Sequence, residues 1–182
     1  MGKIRIIGGD WRGRKISVPD IADLRPTPDR VRETLFNWLQ PVITGARCLD
    51  LYAGTGALGF EAKSRGADQV LFVEHDSLLV KQLRDNAALF NAADIKIEQA
   101  KVQHWLQNST RQFDMVFMDP PFNQGLIDET CALLLANDCL YPKAWVYIEG
   151  EKNLRVPEGF VVKKQGQAGN VSYMLLQADT NN

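Results

Sequence analysis

Long apolar runs are missing from this sequence. The longest, Cys131 to Ala136, has six residues, whereas a membrane-spanning helix needs about 18 or more. No apolar h-region follows Met1-Gly2-Lys3-Ile4-Arg5, and position 6 is Ile rather than Ser or Thr. Neither a secretory signal nor the myristoylation pattern is therefore expected. These absences predict a cytoplasmic protein without a membrane partner. Cysteine is also scarce. Cys48, Cys131 and Cys139 form an odd set without C-x-x-C spacing, each beside apolar neighbours, and read as small buried hydrophobes rather than a disulfide or zinc framework. His75 and His104 have no metal-ligand or nucleophile company and read as surface residues, so no metal is expected. Neither sign of charge dominates: the net charge is −1, which by itself points to no polyanion.

What is present describes one globular domain. The 182 residues are 45% hydrophobic and 24% charged, which excludes disorder and collagen, and the length fits one domain of about 150 residues. A monomer is expected. Charge is unevenly placed: residues 1–15 hold Lys3, Arg5, Arg12, Arg14 and Lys15 against Asp10 alone. A basic arm on a neutral body suits a face that meets phosphates, and a solvated β-hairpin is the plainer alternative.

Residues 4–18 alternate apolar and polar around Gly8-Gly9-Asp10 and Gly13, predicting a twisted hairpin with Trp11 near its turn. Thr27-Pro28-Asp29 has the form of a helix start, and Val31, Leu35, Trp38 and Leu39 recur at helical spacing over 28–40, before Pro41. From residue 46 onward strand and helix patterns take turns. Strands are predicted over 47–52, 69–73, 95–97, 113–118 and 145–148, and helices over 59–64, 78–90, 101–106 and 124–135. Two further strands, 160–164 and 171–176, are joined through Gly166 to Asn170. The repeated units predict an α/β fold whose parallel sheet carries helices on both faces, with the last hairpin as an antiparallel edge. Trp38 and Trp145 sit in apolar patterns and read as core.

The strongest local signal is Asp50-Leu51-Tyr52-Ala53-Gly54-Thr55-Gly56-Ala57-Leu58-Gly59. Glycines at a strand-to-helix turn let a ligand approach backbone that a Cβ would block. Gly54, Gly56 and Gly59 satisfy G-x-G-x-x-G, and Glu74 lies 20 residues beyond Gly54, which keeps an NAD-dependent oxidoreductase in view. Asp50, however, would repel a pyrophosphate and suits a cation such as the ammonium and sulfonium of S-adenosylmethionine. Glu74 then accepts the ribose hydroxyls, or is a plain strand-end carboxylate. Tyr52, Gly54 and Gly56 complete the candidate donor site.

Met115 to Met118 runs into Asp119-Pro120-Pro121-Phe122. Two prolines stop a strand and hold a rigid turn at its carboxyl end, where open α/β sheets bind ligands. An exocyclic amino group of a base is a weak nucleophile because its lone pair is delocalised into the ring. Asp119 and a proline carbonyl supply two acceptors for its protons, drawing the nitrogen towards tetrahedral geometry, and Phe122 can stack on a flipped base. Pro121 keeps the turn rigid.

The pair Asp50–Gly56 and Asp119–Phe122 resembles class I S-adenosylmethionine-dependent methyltransferases acting on nucleobase amino groups. Gly8-Gly9-Asp10-Trp11-Arg12-Gly13-Arg14-Lys15 and Arg25-Pro26-Thr27-Pro28-Asp29-Arg30-Val31-Arg32-Glu33-Thr34-Leu35-Phe36 resemble one branch, the bacterial 16S ribosomal RNA guanine-N2 methyltransferase family of RsmD type. The resemblance covers nearly the whole chain. It implies a Rossmann-like fold whose seven-stranded sheet has an antiparallel last strand. It also implies methyl transfer to N2 of a guanine, position 966 in standard 16S numbering, in an assembled or partly assembled small subunit. Residues 1–42 would be an RNA-contacting extension of a catalytic core at 43–182. One position departs from the class: Lys101 stands where an Asp or Asn often accepts the cofactor's adenine amino group. Lysine has donors only, leaving Gln99 or a backbone carbonyl for that contact.

With RNA as substrate, Arg12, Arg14 and Lys15 would contact phosphates, and Arg25 and Arg30 would line the cleft beside the donor. Trp11 either stacks on an unpaired base or packs against the hairpin. Helix-surface salt bridges are the plainer expectation for Arg30 and Arg32. Asp-Pro-Pro-Phe does not identify the base, so N6-adenine methylation of DNA or RNA is the nearest rival, though 182 residues leave little room for a separate DNA-recognition domain. A non-catalytic RNA-binding module is the rival from another class.

Overall fold

The computed structural model describes residues 2–21, 26–122 and 124–179. Gly2–Arg5 (β1) and Lys15–Val18 (β2) pair antiparallel, Ile4 opposite Ile16. Asp29–Leu39 (α1) follows. Strand and helix then alternate through Arg47–Leu51 (β3), Ala57–Ser64 (α2), Gln69–Glu74 (β4), Ser77–Leu89 (α3) and Ile95–Gln99 (β5). Val102–Asn108 (α4), Phe113–Met118 (β6), Leu126–Ala136 (α5) and Leu140–Glu151 (β7) continue the pattern, and Phe160–Ala168 (β8) and Val171–Ala178 (β9) are the last strands.

β3 to β9 form one seven-stranded sheet in the order β5-β4-β3-β6-β7-β9-β8. β3 to β7 are mutually parallel, and β9 runs antiparallel between β7 and β8. This is the mostly parallel sheet with an antiparallel last strand that the sequence led us to expect. The chain leaves β3 for β4 on one side and returns to β6 on the other, so the carboxyl ends of β3 and β6 flank a switch-point crevice.

Alternate strand residues bury on opposite faces. Cys48, Phe72, Phe117 and Tyr147 face α1, α2, α3 and the hairpin. Leu49, Leu51, Val73, Met118 and Ile148 face α4 and α5. With both faces covered, the strands read as continuous apolar runs. The three cysteines are free and buried, as anticipated, and burial pushes the Cys131 thiol up to about 12.

β7 is three times the predicted length. Its first half hides behind Pro142, which cannot donate to a ladder, and Lys143 at φ 66°. Phe113 pairs with Leu140 but Met115 with Trp145, so the extra residues bulge out of register. α2 begins two residues earlier than predicted because Gly56, at φ 77°, turns the chain directly into the helix.

The amino-terminal hairpin belongs to the same core, with Ile4, Ile6, Ile16 and Val18 buried against the sheet's helices. Its loop is bound to the far end of α2. Glu61, fully buried, accepts the amides of Ile7 at 2.9 Å and Gly8 at 2.8 Å. Ser64 Oγ donates to Gly8 O at 2.6 Å and accepts from Trp11 N at 2.9 Å. Gly9, at φ +77°, lies so close that a Cβ would fall 1.8 Å from Ser64 O. Trp11 stacks on Phe90 at 4.5 Å. Of its two readings, the structure shows the packing one, against α3. Trp38 also packs on the core, 5.6 Å from the Tyr173 ring.

Candidate active site

The register carries three carboxylates to one edge. Val73, Leu51, Met118 and Ile148 are mutual neighbours across β4, β3, β6 and β7. The next step along each strand is therefore Glu74, Tyr52, Asp119 and Glu149, on strands about 4.8 Å apart. By alternation all four would point to the α1–α3 face. Tyr52 does not, because its φ of 56° swings the side chain to the other face. There its hydroxyl meets Thr130 Oγ1 at 2.7 Å and receives Gln103 Nε2 at 3.2 Å. The row is left as Glu74, a gap, then Asp119 and Glu149.

The glycine loop covers the gap. Gly54 at φ 54° and Gly56 at φ 77° hold left-handed conformations that favour glycine. Glu74 is buried, and its Oε2 accepts the Gly54 amide at 2.9 Å. Its Oε1 accepts the amides of His75 at 2.8 Å and Asp76 at 2.9 Å. The carboxylate is thereby fixed against the loop, with lone-pair capacity left on Oε2. Asp50 lies beneath the loop and accepts the Gly59 amide at 2.9 Å within the first turn of α2. Burial raises its pKa well above the ordinary carboxylate value, and the charges of Asp119 and Glu74 push it further against the pull of that amide. Crowded carboxylates below an open backbone loop make a place where a cation gains and an anion is repelled.

Gly59 serves packing instead of a ligand. A Cβ there would stand 2.3 Å from Phe72 Cε1 and 3.0 Å from Asp50 Oδ2, and the Phe72 ring is itself held by Phe60 at 5.0 Å. Gly59→Ala is expected to destabilise the fold by about 1–3 kcal/mol, the usual range for overpacking. A urea midpoint equal to that of the parent chain would show that the helix can shift freely.

Asp119 is half-buried and accepts no hydrogen bond among the described residues. Burial raises its pKa well above the usual range, and Glu149 adds to the rise. Pro120 is buried, while Phe122 is 42% exposed. A cleft of about 280 Å³ opens on the other side of the proline turn, lined by Pro120, Pro121, Phe122, Leu126, Leu154 and Arg155 among others. The turn thus has Asp119 towards α1 and the cleft towards α5.

The basic arm is not brought to this edge. α2 and α3 start at the carboxyl ends of their strands and run away from them, α3 for about 20 Å. The hairpin tip sits on their far ends, so Arg12 and Lys15 are exposed at the opposite end of the sheet. Arg14 donates to Leu89 O at 2.9 Å and lies 4.1 Å over the Phe90 ring. Arg30, in the first turn of α1, is exposed at the carboxyl edge; Arg25 lies outside the described residues. Arg32 is not on the helix surface. It makes the expected salt bridge within the helix, to Asp29 at 2.5 Å, but is 1% exposed and also reaches Glu61 at 3.5 Å and Arg5 O at 3.1 Å. Lys101 is exposed at the start of α4, and Gln99 donates to His75 O at 3.2 Å, tying the β5 and β4 ends.

Sequence reasoning missed Glu149, Thr27 as its partner, and Tyr147. Thr27 Oγ1 donates to Glu149 Oε1 at 2.8 Å across 122 residues, and Tyr147 OH donates to the same oxygen at 2.7 Å. The one available signal was a Glu directly after an apolar strand.

Comparison with known proteins adds independent findings. The family model described as Conserved hypothetical protein 95 matches residues 4–177. A protein of Escherichia coli strain K12 named Ribosomal RNA small subunit methyltransferase D is 45% identical over 181 residues, covering 98% of this chain and 91% of its own length. A Haemophilus influenzae protein of the same name is 45% identical over 185 residues, covering 97% of this chain and 94% of its own. Among solved structures, one described as a putative methyltransferase yhhF from Escherichia coli superposes with a TM-score of 0.90 at 46% identity, covering 98% and 99% of the two chains.

Proposed function

Because the chain belongs to the Conserved hypothetical protein 95 family, we propose that it is an S-adenosylmethionine-dependent methyltransferase of small-subunit ribosomal RNA, acting on N2 of a guanine. The carrying observation is the carboxyl edge itself, with Asp50 and Glu74 around the glycine loop and Asp119 one strand beyond the gap. The names of relatives similar over nearly the whole chain support the reaction and the RNA. The guanine, its N2 atom and the 16S address of position 966 come from the resemblance of the motifs.

When bound, S-adenosylmethionine supplies an electrophilic methyl group on a sulfonium. Glu74 would hold its ribose, with Gly54 and Gly56 giving backbone access and Asp50 providing negative potential for its charge. Asp119 and the Pro120 carbonyl would accept the amino protons of the base in hydrogen bonds, localising the nitrogen lone pair without a separate general base. As the N–C bond forms the methyl's C–S bond breaks, S-adenosylhomocysteine leaves, and the surplus proton on nitrogen passes to Asp119 and on to water. Orientation and fixed electrostatics then supply the catalysis. Arg30 stands at the reacting edge, and Arg12 and Lys15 would meet phosphates about one helix length away. That spacing suits a folded RNA rather than a nucleoside. The protein would work in the cytoplasm as a monomer, without metal.

The test is incubation with tritiated S-adenosylmethionine and small subunits lacking the modification, beside naked ribosomal RNA and duplex DNA. Label released on digestion as N2-methylguanosine is the expected result. Label in adenine or DNA alone would overturn the base and substrate. Stabilisation by NADH but not by S-adenosylhomocysteine would overturn the donor.

A further inference from the structure

Glu149 has no part in the reaction as derived so far, yet it is built into the reacting edge. It stands beside Asp119 one strand over, on the same face, and is only 4% exposed. Thr27 and Tyr147 both donate to Oε1, and no donor among the described residues reaches Oε2. Burial raises its pKa, while the two hydroxyl hydrogen bonds pull it back towards the ionised form. The result is a carboxylate locked in place by two hydroxyls, with its second oxygen uncommitted next to the group that takes the amino protons.

Guanine presents N2–H and N1–H side by side, two donors in a row. Adenine presents its amino group beside an N1 lone pair. Resting on the guanine reading above, the geometry points to Glu149 as the specificity residue of the site, its Oε2 accepting N1–H while Asp119 accepts N2–H. A base whose N1 is a lone pair meets a second carboxylate there and is rejected. A site built to receive a hydrogen bond discriminates strongly against a ligand that cannot make it. Thr27 acts through Glu149, as a positioning residue, and couples the start of α1 to the choice of base.

The experiment uses small subunits reconstituted with RNA carrying either guanine or 2-aminopurine at the target position. The analogue keeps the amino group but has a lone pair at N1. Wild-type protein is expected to favour guanine by roughly 10–100-fold in kcat/KM, the span of one well-made base contact. Glu149→Gln keeps a carbonyl for Thr27 and Tyr147 but turns an NH2 towards N1. It is expected to lose roughly 10–100-fold on guanine while the preference over 2-aminopurine shrinks or inverts. Affinity for S-adenosylhomocysteine should stay within about twofold, reporting an intact fold.

A variant that loses rate equally on both bases, with the ratio unchanged, overturns the proposal in favour of a purely structural role. Wild-type protein that uses both bases equally overturns it without any variant, so the inference stays testable if Glu149→Gln fails to fold. Wild-type protein that labels no guanine in either experiment removes the parent reading, and this one with it.

Discussion

Asp119→Ala is expected to lower turnover about 10³-fold, the upper range for deleting one preorganised polar group at a reacting centre. Donor affinity should stay within about twofold, because the side chains and amides around the glycine loop are untouched. The two effects separate because Asp119 makes no hydrogen bond to the loop yet lies next to the position where the amino nitrogen must sit. Single-turnover transfer of tritium and calorimetric titration with S-adenosylhomocysteine measure them independently. Turnover within tenfold of wild type would remove Asp119 from the mechanism.

The same residue sets a pH signature. Burial, and then Glu149, raise the Asp119 pKa, and only the ionised carboxylate accepts both ways. The acid limb of kcat is therefore expected above the ordinary Asp value of about 3.9. Stability carries the opposite sign. Between the unfolded and the raised folded pKa the native state holds more protons, so ionising Asp119 destabilises the fold as pH rises through that window. The alanine variant should accordingly keep its stability at neutral pH. Loss of activity together with loss of stability would mean that Asp119 supports the turn.

How much of this edge could be read from the sequence depended on how local each determinant is. The glycine loop and Asp119-Pro120-Pro121-Phe122 announce themselves because a turn's backbone demands Gly or Pro within a few residues. The strand–helix alternation was legible for the same reason, since burying both faces of a sheet imposes a local pattern. Glu149 was not legible, because its hydroxyl partner Thr27 is 122 residues away and only the register of β6 against β7 sets it beside Asp119. Tyr52 sits in the right loop, but a single positive φ sends its side chain to α5 instead of the gap. Arg14 reads as a phosphate contact, and Trp11 as either a ring that stacks on an unpaired base or a cap packed on the hairpin. Their proximity to Phe90 depends on how the hairpin docks, and no local pattern encodes docking. Arg32 in a charged helix reads as a surface salt-bridge partner, and it does pair with Asp29, but its burial follows from a carboxylate on another helix.

That carboxylate carries the second large effect. Glu61→Leu is expected to destabilise the fold by about 3–5 kcal/mol, the cost of breaking a buried ion pair by removing one partner. Arg32 would remain 1% exposed with its charge left to Asp29 alone, 2.5 Å away on the same helix and itself 61% exposed, and its Nε already has no partner among the described residues. The amides of Ile7 and Gly8 would lose their acceptor as well. Arg65, 19% exposed and 2.7 Å from Glu61, can turn to solvent, so the loss falls on Arg32 and the hairpin. For a chain of this length the melting temperature should fall by about 10 °C, and urea unfolding gives the free energy directly. A loss below about 1 kcal/mol would mean that water replaces the carboxylate. Glu61→Leu combined with Arg32→Met separates charge from geometry, because an apolar pair of similar volume often matches a buried ion pair. The double variant should recover most of the stability but not the acceptor for the Ile7 and Gly8 amides. If the hairpin and α1 are held in place by this network, the double variant will fold well and still show a raised KM for subunits. Recovery of both stability and KM would assign the network to stability alone and leave Thr27 on Glu149 as the tether that sets the start of α1.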